Sequence, residues 1–127
     1  AAAIANIGVM RSDHLVEKAR STGQAMAEMM SELVDRHPSV GEVRSIGMFG
    51  AIELVKNKET REPAAPFAGS SPEMTELKKY LLENGLFMYT HWNLLLVIPP
   101  LIMTEEQLAE GFSIIDRGLA ITDKACK

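Results

Sequence analysis

From Leu15 to Val34 the apolar positions return at steps of three and four: Leu15, Val16, Ala19, Gly23, Met26, Met30, Leu33 and Val34. That spacing puts them on one face of a long amphipathic helix. Ser12 reads as its N-cap, and Pro38 closes it. Methionines 10, 26, 29 and 30 are expected to fill core gaps more than to form a pliable binding surface.

The pattern changes at Val43–Val55, VRSIGMFGAIELV, where branched and aromatic residues predict one strand. Gly47 and Gly50 inside it suggest a bulge or a close backbone contact. Met48, Gly50, Ile52 and Leu54 fall on one face, and Phe49, Ala51, Glu53 and Val55 on the other, so the strand needs cover on both sides. Residues 56–71, KNKETREPAAPFAGSS, have no apolar period and read as a long surface loop, a candidate substrate-side or interface segment.

Ser71-Pro72-Glu73 then supplies an N-cap, a first-turn proline and an acid at the positive helix end. Met74, Leu77 and Leu81 form that helix's inner face, and Asn84-Gly85 ends it with a left-handed stop. Leu86–Tyr89 and Leu94–Ile98 flank the polar stretch 90–93 and predict an antiparallel hairpin with a four-residue connection. The second of these strands is apolar throughout and is expected at the sheet centre, buried on both faces. Pro99-Pro100 stops it, and Thr104 with Gln107 forms a capping box for a last helix whose buried stripe is Leu108, Phe112, Ile115 and Leu119. Gly111 and Gly118 on that helix would let another element approach closely.

The order helix, strand, helix, strand, strand, helix predicts an α/β (α+β) open two-layer sandwich. It has a small, mainly antiparallel sheet with a split β-α-β unit and helices packed on one face. The crossover joins the first two strands, and the third pairs antiparallel between them.

Composition narrows the function. At 127 residues and 46% apolar content the chain suits one soluble, cytoplasmic domain. A net charge of -4 without a basic stripe argues against nucleic acid. The apolar start, residues 1–10, lacks a basic leader and falls short of a membrane span. That start also resembles a helix interior with no cap before it, so the chain looks cut from something longer. The lone cysteine, Cys126, precludes an internal disulfide and reads as an exposed tail thiol. His14, His37 and His91 lack metal-ligand spacing, and no metal site is expected. No nucleophile triad, phosphate loop or carboxylate pair is present.

Three segments go further. VGEVRSIGMFGAIELVKNKETREP, LLENGLF and IPPLIMTEEQLAEGFSIIDRGL resemble, in order and spacing, the C-terminal small domain of class III, pyridoxal-phosphate-dependent aminotransferases of fold type I, of the taurine–pyruvate and omega-aminotransferase kind. The PPL segment is the most specific, and the likeness covers nearly the whole chain. AAAIANI is similar to the helix after the large domain's phosphate-binding segment. The resemblance makes residues 1–127 the small domain, with 1–10 a remnant of the helix linking it to an absent large domain.

It implies amino transfer between an amine or amino acid and a keto acid, through a lysine Schiff base of pyridoxal phosphate. That lysine would lie in the large domain, so no catalytic or cofactor-binding residue is assigned here and the isolated chain is expected to be inactive. The implied partners are the missing large domain or a second subunit, in a homo-oligomer such as a dimer, with a small amine or keto acid as substrate. Family members place a carboxylate-binding arginine in or beside the hairpin, yet its two positions hold Tyr89 and Leu96, and no arginine occurs between Lys78 and Thr104. Tyr89, His91 and Trp92 are therefore the candidate substrate-binding residues, Tyr89 foremost. Competing readings are a stand-alone binding or scaffold module that keeps the fold, and a small regulatory ligand-binding domain.

Overall fold

The computed structural model describes residues 1–127. Helix α1 (Ala2–Ser12) buries none of its residues. Helix α2 (Leu15–Arg36) begins after His14, whose backbone is left-handed at φ 51°. Ser12 is thus not the N-cap expected of it. Its hydroxyl bonds back to Val9 O at 3.2 Å and to Asp13 Oδ1 at 2.8 Å, because the apolar start forms a helix of its own that ends there. The methionine expectation holds where it matters most, with Met26 and Met30 fully buried.

The span 43–55 is not one strand. Gly47 adopts φ 53° and turns the chain, giving a hairpin of β1 (Val40–Ile46) and β2 (Phe49–Asn57). The turn sits against α2 so closely that a Cβ on Gly23 would meet the Gly47 carbonyl carbon at 2.5 Å. The loop that follows is also more structured than its composition suggests. A short strand β3 (Glu62–Pro63) pairs with β2, and Ala64 and Ala65 are buried.

Helix α3 (Pro72–Glu83) starts as expected, with Ser71 accepting from Met74 N, and Gly85 at φ 85° follows its end. The second hairpin is shorter than predicted. Strand β4 (Tyr89–His91) and strand β5 (Leu94–Val97) are joined by Trp92-Asn93 alone, while Leu86–Met88 are outside the sheet. Helix α4 (Glu105–Asp123) carries the full Thr104–Gln107 capping box and buries Leu108, Phe112, Ile115 and Leu119.

The strand order is β1-β2-β5-β4, with β5 antiparallel to both neighbours. This is the split β-α-β arrangement: β2, α3 and β4, with β5 inserted between the two strands. One sheet face packs Ile52, Leu54, Leu95 and Val97 with Met26, Met30 and the α3 and α4 stripes in a single core. Gly118 brings α4 against α3, since a Cβ there would lie 2.9 Å from Leu77 Cδ1. Gly111 has no such neighbour: its nearest contact would be Leu86 Cδ1 at 3.8 Å.

A polar clasp fixes the ends of α2 and α4. His37 is buried, with Nδ1 2.7 Å from Asp123 Oδ2 and Nε2 3.0 Å from Asp116 Oδ1. Ser39 donates to Asp123 Oδ1 from its N–H at 3.1 Å and its hydroxyl at 2.6 Å, and Arg36 pairs with Asp116 at 2.8 Å. Cys126 is half-buried over β2, its Sγ 3.5 Å from Val55 O, and burial pushes the thiol above its ordinary range. The exposed tail thiol expected from sequence is therefore a packed one. No helix is long and apolar enough to cross a membrane.

Candidate functional site

Strand alternation decides what the second sheet face presents. The register aligns Arg44, Ala51, Leu96 and Tyr89 across β1, β2, β5 and β4, beside a second row of Glu42, Glu53, Leu94 and His91. Partners in these rows are within reach of each other's side chains. No helix covers this face. Leu94 and Leu96 are accordingly half-buried, against the expectation that β5 would be enclosed on both sides.

The face is divided by chemistry. Toward β1, Arg44 reaches Glu42 at 3.1 Å and Glu53 at 3.1 Å, and Arg61 takes the other Glu42 oxygen at 3.1 Å. Donating to Glu42 and then to Glu53 raises the pKa of the Arg44 guanidinium above its ordinary value. Toward β4 the face is apolar and aromatic. Tyr89 is 54% exposed, with its hydroxyl 3.4 Å from His91 Nδ1. The two rings are stacked at a centroid distance of 5.8 Å, and His91 and Trp92 approach to 4.0 Å.

The structure thus brings the three sequence-derived candidates, Tyr89, His91 and Trp92, into one continuous run. Sequence reasoning missed its fourth member. Phe67, from the segment between β3 and α3, lies 4.2 Å from Trp92 between centroids. An aromatic residue in an otherwise small and polar loop was the available signal.

Behind the β4 edge, between the hairpin, Pro99-Pro100 and α4, lies a cavity of about 290 Å³. Leu86, Met88, Val97, Met103, Phe112 and Ile115 are among its walls, and no charged side chain lines it. The site can therefore hold apolar groups but offers neither an amine for imine formation nor a cation for a phosphate. Lys58 is engaged with Val34 O at 2.7 Å and Lys79 with Glu83 at 3.7 Å, and no lysine borders the cavity.

Comparison with known proteins identifies the family. The chain is 36% identical over 126 residues to a putrescine–pyruvate aminotransferase of Pseudomonas aeruginosa, covering 98% of this chain and 26% of that protein. An isoleucine 2-epimerase of Lentilactobacillus buchneri is 34% identical over 117 residues, 91% of this chain and 25% of that one. Among solved structures, the taurine:2-oxoglutarate aminotransferase of Bifidobacterium kashiwanohense, in complex with pyridoxal phosphate and glutamate, superposes with a TM-score of 0.89. It is 30% identical, and the match covers 95% of this chain and 27% of that one. The chain thus spans about a quarter of the length of these relatives. The family described as aminotransferase class-III matches residues 1–119, and the chain belongs to that family.

Proposed function

We propose that residues 1–127 are the small domain of a longer cytoplasmic class III aminotransferase, with 1–10 part of the helix joining it to the large domain. The complete enzyme moves an amino group from an amine or amino acid to a keto acid. Pyridoxal phosphate supplies the electron sink for that chemistry when bound. It is held by residues outside this chain, in the large domain or a second subunit.

The part that falls to this chain is to border the substrate entrance. Tyr89, His91 and Trp92 form its wall, and the apolar row beside them excludes water from the approaching amine. The observation that carries this reading is the uncovered, aromatic sheet face on a domain whose other face is a closed core. Class III membership supplies the chemistry that such a face would serve.

The test uses the complete reading frame. Purified full-length protein with pyridoxal phosphate is expected to form alanine from pyruvate and an amine donor, whereas the 127-residue chain forms none and takes up no lysine-linked cofactor. Turnover with a stoichiometric lysine adduct in the 127-residue chain would sink the reading. So would a full-length protein that racemises amino acids without ever consuming a keto acid.

A further inference from the structure

We draw no further inference here: the strongest candidate, the apolar cavity between the β4–β5 hairpin, Pro99-Pro100 and α4, is bordered by Tyr89 of the site already described, and nothing in the structure shows what fills it.

Discussion

Replacing Gly23 with alanine sets two known effects against each other. Gly23 lies within α2, where alanine is favoured over glycine by about 0.8–1.0 kcal/mol. On propensity alone the variant is stabilised. The new Cβ, however, would lie 2.5 Å from the Gly47 carbonyl carbon, 2.6 Å from its oxygen and 2.7 Å from its Cα, all backbone atoms. The turn has little freedom to yield, because Gly47 already sits at φ 53° between paired strands. Helix α2 must therefore move outward by most of an ångström, as ordinary contact begins at 3.4 Å. A gap of about 0.5–1 Å forfeits a quarter to a half of each dispersion contact, and Met26, Met30 and Leu33 are the fully buried side chains of α2 that would lose theirs. Overpacking of this kind costs roughly 1–3 kcal/mol or more. The clash wins, for a net loss of about 1–2 kcal/mol. Urea unfolding of Gly23→Ala beside Gly8→Ala measures it, since Gly8 lies in a helix with nothing within 4 Å of its added methyl. The expected result is a lowered midpoint for Gly23→Ala and an equal or raised one for Gly8→Ala. Equal gains in both would show that the helix–turn contact does not constrain the fold.

Asp123→Ala removes the acceptor for the Ser39 N–H and hydroxyl and for His37 Nδ1. It should cost roughly 2–4 kcal/mol in denaturant unfolding, and a loss under about 1 kcal/mol would refute the clasp. The Glu73 carboxyl is held below its ordinary value of 4.5 by its own backbone N–H and then by Ser71. Its contribution to stability is therefore complete above 4.5 and fades as pH falls through the lower folded value, so Glu73→Gln should flatten that limb of the stability–pH curve. An unchanged acid limb would refute this. The uncovered helix α1, with Ile4, Ile7 and Val9 exposed, should make the 127-residue chain self-associate. Sedimentation over a range of concentrations tests it, and a chain that stays monomeric, whether or not those three residues are made polar, would place the missing interface elsewhere.

Much of the helical structure was legible because its signals are local. Ser71-Pro72, Asn84-Gly85 and the Thr104–Gln107 box each mark a terminus within a few residues, and each is where the sequence places it. The central place of β5 was legible from four apolar residues in succession. The turn at Gly47 was not, since apolar alternation continues through it, and neither its positive φ nor its packing against Gly23, far away in sequence, can be read from the local pattern. The clasp around His37 was likewise invisible, because its partners Asp116 and Asp123 are brought to it by packing of α2 against α4. At the candidate site, Tyr89, His91 and Trp92 are close in sequence and could be found together. Phe67 was marked only as the one aromatic residue of a candidate segment, because it reaches Trp92 through a fold in which β3 pairs with β2.

The insertion of β5 between β2 and β4 also sets an order of assembly. During synthesis the β1–β2 hairpin can form from local contacts alone, but one edge of β2 stays bare until residues 94–97 have been made. For that interval Gly50–Glu53 offer unpaired N–H and C=O groups, the kind of edge that joins to other chains. The same strand then closes two ladders at once, so its amides and those of β2 should gain protection together in pulsed hydrogen exchange, after the β1–β2 turn. A nascent chain halted before Leu94 would be left with this sticky edge, whereas one halted after Val97 would have covered it.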